Sequence, residues 1–378
     1  MKRIKNDVRP NWQKTVESQG LVYHTAEGIA YWDESAYYQF TTKQVDDLEA
    51  TTNTLHGLCL EAVQHVIDKK RYHELRIPEA AIPLIESSWN NETPAIYGRF
   101  DLAYNGEGPA KMLEYNADTP TALLEAGVIQ WYWLQDNFGK HSDQFNSIHE
   151  RLIAKWKELR DYLKPGTLYL AYMDTWEDYM TVSYMQDVAQ QAGLDAKSIL
   201  IKDIGWDSKD RCFVNEALYT MRNIFKLYPW EWMLKDEFGK HLPETLDTTY
   251  FIEPPWKMVL SNKGILPILW ELNPGHPNLL PAYFDPGPLP WHVKKPLYSR
   301  EGANISIVTQ TETVEATEGK YGEEGYIYQE MALLPDFDGN HPVLGSWVID
   351  GESAGIGIRE SKSLITNNFG RFIPHRMA

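Results

Sequence analysis

The chain has 378 residues, 43% of them hydrophobic and 24% charged, which is enough for one large catalytic unit. Its formal net charge of −17 disfavours nucleic acid as the main partner, because phosphate binding needs a basic face. The two cysteines, Cys59 and Cys212, exclude a disulfide framework. The sequence shows no apolar leader and no apolar run of membrane-spanning length, so we expect a cytoplasmic protein without a membrane partner.

Composition leaves two substrate classes open. An acidic surface suits a cationic substrate, although many soluble proteins are acidic for other reasons. The 14 tryptophans are typical of sugar-binding proteins. A glycosidase therefore stays among the alternatives at this point.

Three long helices are predicted in the first part of the chain, at about residues 42–69, 121–136 and 142–163. The first has apolar residues mostly three or four positions apart, and Thr42 is its predicted cap. The third ends at the pair Pro165-Gly166.

A β–α–β unit follows these helices. Its parts are a strand "TLYLAYM", a helix at about 178–192 that ends at Gly193, and a strand "KSILIKDI". From about residue 250 the pattern changes to short strands separated by Pro and Gly, and Asp350-Gly351 predicts a hairpin. The class is therefore mixed α and β, without a G-x-G-x-x-G motif or a Walker loop.

The segment 99–118, "RFDLAYNGEGPAKMLEYNAD", predicts a hairpin of two alternating strands. With the turn at residues 106–109, Asp101 lies opposite Glu114 and Arg99 lies opposite Asn116. Since side chains alternate between faces, these four residues and Asp118 share one face. The other face then carries the apolar residues Leu102, Leu113 and Tyr115.

Like charges directly opposite each other in a sheet repel, and a cation between them reverses this effect. Oxygen ligands from Asp, Glu and Asn suit Mg²⁺, usually together with phosphate oxygens. Arg99 beside these acids indicates that an anion also binds. The alternative is a solvated polar hairpin face with an Arg–carboxylate pair.

A helix N-terminus is predicted directly after the hairpin, in "ADTPTALLEAG". Asp118 or Thr119 can cap it, and Pro120 suits the first helical position. Free N–H groups at such an end favour a carboxylate or a phosphate. An ordinary capped helix is the alternative.

The C-terminal third contains a second set of polar residues. Lys263 precedes the apolar run 265–269, and Lys295 lies at the end of a predicted strand. A short loop, residues 299–304, separates that strand from the next one. A glycine-containing loop of this kind can cover a polyphosphate with its backbone N–H groups. Together with a downstream strand "YIYQE", these features favour a nucleotide site over solvated lysines.

At this point the sequence resembles the synthetase domain of glutathionylspermidine synthases, and more closely the stand-alone bacterial acid–amine ligases of that family. The most specific segments are "RFD", "LEYNADTPT", "EPPWKMVLSNKGILPILW", "NPGHPNLLPAYFD", "KKPLYSREGANI" and "YIYQE". The resemblance covers nearly the whole chain. It implies an α+β protein with an ATP-grasp fold, circularly rearranged so that the metal ligands precede the nucleotide lysines, with a β–α–β subdomain of the pre-ATP-grasp type.

The resemblance also implies how the chain is divided. Residues 1–164 form a helical part that includes the metal-binding hairpin, residues 165–254 form the α/β subdomain, and residues 255–378 form the nucleotide-binding part. Together they make one catalytic unit. Its implied reaction activates a small acid or peptide with ATP and Mg²⁺, forms an acyl phosphate and joins it to an amine, releasing ADP and phosphate.

Residue roles follow from the same resemblance. The implied metal ligands are Asp101, Glu114 and Asn116, and the implied catalytic residue beside the transferred phosphate is Arg99. The implied nucleotide-binding residues are Arg99, Lys263, Lys295, Ser299, Arg300, Glu301, Gly302, Gln329 and Arg359. Where glutathione-using relatives have a Ser-rich stretch, this chain has Thr119-Pro120-Thr121-Ala122, so Thr119 and Thr121 are implied for the acid substrate and the identity of the acid stays open.

Three alternatives remain at the level of sequence. They are a glutathionylspermidine synthetase proper, a hydrolase such as a glycosidase that uses a carboxylate pair without nucleotide, and an inactive amine-binding relative. Sequence leaves the acid, the amine, the amine-binding residues and the oligomeric state undetermined.

Overall fold

The computed structural model describes residues 1–26, 28–366 and 370–378. Within them the strands are β1 (Lys2–Lys5), β2 (Thr25–Ala26), β3 (Ile29–Ala30), β4 (Ala36–Phe40), β5 (Tyr97–Ala103), β6 (Lys111–Asn116), β7 (Leu168–Tyr172), β8 (Ala196–Leu200), β9 (Gly205–Asp207), β10 (Cys212–Val214), β11 (Asn223–Leu227), β12 (Tyr250–Ile252), β13 (Ala282–Tyr283), β14 (His292–Pro296), β15 (Ser306–Val308), β16 (Thr313–Ala316), β17 (Tyr326–Glu330), β18 (His341–Ile349), β19 (Glu352–Ser361), β20 (Arg371–Ile373) and β21 (His375–Met377).

The α-helices in the same residues are α1 (Trp12–Ser18), α2 (Thr42–Lys69), α3 (Ile82–Asn90), α4 (Gln130–Phe138), α5 (Ile148–Leu159), α6 (Trp176–Gln191), α7 (Trp230–Met233), α8 (Met258–Ser261) and α9 (Ile265–Leu272). A π-helical turn, Glu125–Ile129, runs directly into α4. Short 3₁₀ segments lie at Arg71–His73, Glu79–Ala81, Ile201–Asp203, Gly239–Thr245 and Pro255–Lys257. None of the described helices is both long and apolar enough to cross a membrane.

A five-stranded antiparallel sheet, here called the central sheet, holds the predicted hairpin. Its strand order is β20-β19-β18-β5-β6. Ser346 Oγ lies 2.6 Å from Thr52 Oγ1 of α2, whereas the next residue, Trp347, is buried in the same apolar cluster as Trp156 of α5. Successive residues of a strand face opposite sides, so helices cover both faces of the central sheet.

Two further sheets flank the central one. A parallel sheet has the order β12-β11-β7-β8, and α6 packs on β7 and β8. An antiparallel sheet, here called the lysine sheet because Lys295 lies in it, has the order β13-β17-β14-β15-β16 and is packed by α9. The protein is thus α+β, as predicted.

Several predicted elements are confirmed. The first long helix is α2, although its cap is Thr41 rather than Thr42. Thr41 Oγ1 accepts the N–H of Gln44, and the Gln44 side chain accepts the N–H of Thr41. β7, α6 and β8 form the predicted β–α–β unit with parallel strands. The hairpin at Asp350-Gly351 joins β18 to β19.

Two predicted helix starts are wrong. The helix after the hairpin begins at residue 123 instead of 121, so neither Asp118 nor Thr119 caps it. The helix predicted from residue 142 begins at Ile148, because the backbone before it pairs with β19 instead. Ser147 N donates to the carbonyl of Ala354 at 2.7 Å, and Asn146 forms a bridge with Gly355.

Candidate active site

At the end of the hairpin away from its turn, the two strands pair in the predicted register. Arg99 pairs with Asn116, and Asp101 pairs with Glu114. A bulge follows, so that Leu102 pairs with Met112 nearer the turn. Alternation therefore breaks at the bulge, and the prediction that Leu113 enters the core is wrong.

The two paired carboxylates of the hairpin, Asp101 and Glu114, each have a basic partner. Arg99 Nε donates to Asp101 Oδ1 at 2.7 Å, and Arg359 Nη2 donates to Asp101 Oδ2 at 3.0 Å. Lys263 Nζ lies 2.8 Å from Glu114 Oε2, and Asn116 Nδ2 donates to Glu114 Oε1 at 3.2 Å. These contacts replace cross-strand repulsion with attraction, so the acids lie together without strain.

The two predicted nucleotide-binding lysines both lie beside the hairpin. Lys263 Nζ donates to the carbonyl of Ser299 at 2.8 Å. Lys295 Nζ donates to Gln329 Oε1 at 2.7 Å and to the carbonyl of Leu113 at 3.0 Å. Gln329, which the resemblance implies as a nucleotide-binding residue, therefore also orients Lys295.

Burial and neighbouring charges shift the pKa values of Glu114 and Lys295. Burial alone would raise the pKa of Glu114, but Lys263 and Lys295 lower it to about 2. Burial lowers the pKa of Lys295 to about 8, although Glu114 opposes that effect. Near neutral pH the Glu114 carboxylate is therefore ionised. Glu114 then has no proton to donate, so it does not suit the role of general acid in a glycosidase that would use the hairpin carboxylates.

A cavity, here called the nucleotide cavity, lies between the lysine sheet and the hairpin. Its walls include Asp101, Glu114, Lys263, Lys295, Ile307 and Met331. Its wall thus combines apolar side chains with charged ones. This composition suits a ligand that has both a flat base and phosphate groups.

The loop of residues 299–302 borders the nucleotide cavity, and the side chain of Arg300 holds it in place. Arg300 Nη1 donates to Thr119 Oγ1 at 2.8 Å, and its Nη2 donates to Glu231 Oε1 at 2.9 Å. A Cβ atom on Gly302, whose φ is +70°, would lie 2.5 Å from the carbonyl oxygen of Thr366. Only glycine fits there. Ser299 and Glu301 also line the nucleotide cavity.

A second cavity of about 490 Å³, here called the substrate cavity, is also lined by residues of the hairpin. It contains the predicted residues Arg99, Asn116, Thr119 and Thr121. Arg99 Nη1 donates to the carbonyl of Thr121 at 2.8 Å. Its walls also carry residues that sequence reasoning missed, namely Tyr31, Glu125, Trp176, Glu177, Asp178 and Trp232.

The missed residues had weak signals. Thr175 caps α6, so Glu177 and Asp178 look in sequence like ordinary acids of a first helical turn. Glu125 looks like any residue of a helix. The packing of α6 on β7 and of the π-helical turn on β19 brings these acids to one cavity.

Asp118 lies beyond the end of the strand, so the prediction that strand alternation places it on the face of the other acids is wrong. The strand ends at Asn116, and Asp118 turns inward to form a buried ion pair with Lys226. Its Oδ2 also accepts the N–H of Trp230 at 3.1 Å. Asp118 therefore joins the end of the hairpin to the parallel sheet.

The segment "EPPWK" supports the start of β5. Glu253 accepts the N–H groups of Ile96 and Tyr97 at 3.0 and 3.1 Å. Lys257 Nζ lies 2.6 Å from Glu253 and donates to the carbonyl of Tyr97 at 2.5 Å. These contacts fix the backbone two residues before Arg99.

Comparison with known proteins agrees with this geometry. A family model described as glutathionylspermidine synthase preATP-grasp matches residues 3–378. The chain belongs to the glutathionylspermidine synthase family. A Haemophilus influenzae protein with the provisional name acid–amine ligase is 43% identical, with 99% of each chain covered.

Two longer relatives of the family match over part of their length. The trypanothione synthetase of Crithidia fasciculata is 32% identical over 82% of this chain and 52% of its own length. The bifunctional glutathionylspermidine synthetase/amidase of Escherichia coli is 28% identical over 88% of this chain and 58% of its own length. The chain thus spans little more than half of these two proteins.

Among solved structures, a glutathione synthetase-like effector of Globodera pallida has a TM-score of 0.54 and 12% identity, with 99% of this chain and 100% of that chain covered. This likeness shows a glutathione synthetase-like fold.

Proposed function

We propose that this protein is an ATP-dependent ligase that joins a carboxylic acid to an amine through an acyl phosphate and releases ADP and phosphate. The observation that carries this proposal is that the nucleotide cavity and the substrate cavity share Glu114, Glu301 and Arg359 in their walls. A phosphoryl group at this junction would be within reach of both an ATP molecule and a carboxylate. The names of the relatives support the same reaction.

Asp101, Glu114 and Asn116 are the residues that would hold Mg²⁺. The described residues contain no group of three or more His, Cys, Asp or Glu side chains suited to a metal, and the hairpin offers two carboxylates and one amide. Mg²⁺ takes few protein ligands and completes its shell with phosphate oxygens and water, so this number is suitable. When bound, the ion neutralises charge on the phosphate oxygens.

The basic residues then have separate roles. Lys263 and Lys295 bind phosphate oxygens of ATP, and the loop 299–302 covers them with its backbone N–H groups. Arg99 and Arg359 stabilise the charge on the phosphoryl group as it moves to the carboxylate. Cover from the loop would also keep water away from the acyl phosphate.

We assign the finer fold class as ATP-grasp in a circularly rearranged order. The hairpin with the proposed metal ligands precedes Lys263 and Lys295 in the chain, yet it lies beside both lysines in space. The central sheet, which unites residues 97–116 with residues 341–373, carries the metal side, and the lysine sheet carries the nucleotide side.

The two substrates would bind at different parts of the substrate cavity. Thr119 and Thr121, close to Arg99, suit the acid. Glu177, Asp178 and the exposed Trp176 suit an amine with a positive charge and an aliphatic chain. The relatives' names make a polyamine such as spermidine the first amine to test.

The test is a search for products by mass spectrometry. The protein is incubated with ATP, Mg²⁺, a pool of small acids and peptides including glutathione, and a pool of amines including spermidine. A parallel reaction replaces the amines with hydroxylamine, which traps an acyl phosphate as a hydroxamate. We expect a new amide or hydroxamate together with ADP.

The control variants are Glu114→Gln, which removes one charge at the metal site, and Glu61→Gln, at an exposed position of α2. Glu114→Gln should lose the product, and Glu61→Gln should keep it. An unchanged yield with Glu114→Gln would contradict the assigned site. A complete absence of both product types with the unmodified protein would contradict the ligase function and favour an inactive relative.

A further inference from the structure

A buried carboxyl group in the substrate cavity has no role in the reaction described so far. Glu125 is 2% exposed and lines the cavity together with Arg99 and Arg359. The hydroxyl group of Tyr31 donates to Glu125 Oε1 at 2.7 Å. This hydrogen bond fixes the carboxyl group in the cavity wall.

The backbone at this position is unusual. Glu125 begins the π-helical turn Glu125–Ile129, within a helix that is otherwise α-helical from residue 123 to residue 138. Such turns are rare and occur frequently at functional sites. The turn packs against β19, the strand that carries Arg359. Glu125 is thereby placed on the side of the cavity where the phosphoryl group would lie.

Charged groups reach Glu125 from three elements. Glu177 of α6 is on one side, Arg99 of β5 is on another, and Arg359 of β19 lies near the Tyr31 hydroxyl. Burial raises the pKa of Glu125 to about 7, with a smaller contribution from Glu177, while Tyr31 and Arg99 oppose the rise. The group therefore changes its charge near neutral pH, as a general base needs.

We propose that Glu125 is the general base that takes a proton from the bound amine. The proposal rests on the ligase function proposed above. The ammonium nitrogen gives one proton to a carboxylate oxygen of Glu125. Its lone pair then forms the C–N bond, while the C–O bond to the phosphoryl group breaks and the electron pair leaves with phosphate. The second N–H proton leaves with that phosphate, so that charge and atoms balance.

Asp178 is the other carboxylate of the cavity with a pKa shifted towards neutrality, to about 6, mainly by burial. It differs from Glu125 in position. Asp178 Oδ2 accepts the N–H of Met173 at 3.2 Å, and the residue lies half-buried at the start of α6 beside the exposed Trp176. Asp178 is thus suited to bind the distal part of a cation, and Glu125 lies deeper.

The test compares two nucleophiles in Glu125→Gln, which keeps the shape of the side chain. Hydroxylamine is a much weaker base than an alkylamine and is largely neutral near pH 7. It should attack the acyl phosphate without help from Glu125. With the acid pool and Mg-ATP, we expect Glu125→Gln to form hydroxamate within a few-fold of the unmodified rate. With spermidine as the amine, amide formation should fall at least about a hundredfold, and the rise in rate near pH 7 should disappear.

Two variants separate this role from others. Glu125→Asp should recover part of the amide rate, because it restores a carboxylate. Glu177→Gln should weaken spermidine binding and shift the pH dependence downwards without removing it. Equal losses with hydroxylamine and spermidine would mark Glu125 as structural and overturn the proposal. An unchanged amide rate would overturn it as well.

A binding measurement tests Glu125 independently of turnover. A cation beside a carboxyl group lowers its pKa, so spermidine binding near pH 7 should release protons. Calorimetry in two buffers with different ionisation enthalpies should show this release for the unmodified protein and not for Glu125→Gln. Equal release in both proteins would overturn the proposal. Absence of hydroxamate and amide from the unmodified protein would instead contradict the ligase function, whatever the proton release shows.

Discussion

Arg99 has contacts that only a guanidinium group can make together. It donates to both oxygens of Asp101, at 2.7 and 3.3 Å, and to the carbonyl of Thr121 at 2.8 Å. Lysine cannot reproduce this planar fork. We expect Arg99→Lys to lower kcat by at least about a hundredfold, as for the loss of one preorganised donor, and to change ATP affinity only a few-fold. Steady-state kinetics and calorimetry check both values.

The control for Arg99→Lys is Arg3→Lys. Arg3 also has a two-pronged contact with a buried carboxylate, Glu360, at 2.7 and 3.0 Å, but it lines neither cavity. Arg3→Lys should keep full kcat. If Arg99→Lys instead lost thermal stability and kcat in parallel, Arg99 would be structural.

Lys295 is a candidate phosphate ligand, and its neighbour provides a matched control. Successive residues of β14 face opposite sides, so Lys294 points away and lies 4.0 Å from the ring of Tyr326. Lys295→Met should weaken ATP binding by roughly 1.5–3 kcal/mol, the value of a charge-assisted hydrogen bond. Lys294→Met should leave ATP binding unchanged. Calorimetry that gave equal affinities for the two variants would contradict the phosphate role of Lys295.

The carboxyl group of Glu125 also predicts how stability depends on pH. Its pKa of about 7 in the folded protein lies above the ordinary value of 4.5. Between these values the unfolded chain has already released a proton that the folded chain keeps, so the free energy of unfolding falls as pH rises. In the unmodified protein the free energy of unfolding should fall by roughly 3 kcal/mol over this pH range because of Glu125. In Glu125→Gln this fall should be absent. Urea unfolding at several pH values, with Glu61→Gln as control, measures it. Parallel pH profiles for Glu125→Gln and the unmodified protein would contradict the raised pKa.

At the scale of elements, strand β18 leaves room for the side chain of Arg99. A Cβ atom on Gly345 would lie 2.7 Å from Arg99 Cδ. Gly345→Ala should displace Arg99 and lower kcat about tenfold or more, since small misplacements at a reacting centre are costly. Gly57→Ala is the control, because a Cβ there meets no atom within 4 Å. Normal kcat in Gly345→Ala would show that Arg99 can adjust.

The elements also show what a sequence can predict. Periodicity and turn residues predicted α2, the β–α–β unit and the pairing of Asp101 with Glu114, because each depends on neighbours along the chain. The bulge beside Leu113 and the inward turn of Asp118 depend on partners far away, namely Lys295 and Lys226. Such contacts leave no local pattern, and these two positions were predicted wrongly.

For the same reason the site was predicted unevenly. The hairpin and both lysines could be proposed for the site because their residues stand out in motifs. The acidic wall of the substrate cavity was missed, since Glu125 and Glu177 look like ordinary helical residues. Glu231 was missed as well, although it fixes Arg300 of the loop 299–302. Its role depends on the approach of α7, which sequence periodicity does not reveal.

At the scale of the whole molecule, the buried pair of Asp118 and Lys226 joins the hairpin to the parallel sheet. Removing one partner leaves an unpaired charge in the interior, so Lys226→Met should lower the free energy of unfolding by about 3–5 kcal/mol. The double variant with Asp118→Asn should be more stable than Lys226→Met alone. Urea unfolding of Lys226→Met, Asp118→Asn and the double variant gives the coupling free energy between the two residues. If the stability losses of the two single variants simply added up in the double variant, the two residues would not act as a unit.

The strand order of the central sheet has a consequence for how the protein is made. Tyr97 of β5 pairs with Ile349 of β18, so the hairpin gains its neighbour only after most of the chain has been synthesised. Pairings between residues so far apart in sequence close slowly, because a long loop loses entropy first. A nascent chain therefore carries the hairpin with an unpaired edge until β18 has emerged from the ribosome. We expect slow refolding, and a tendency of interrupted chains to aggregate through that edge.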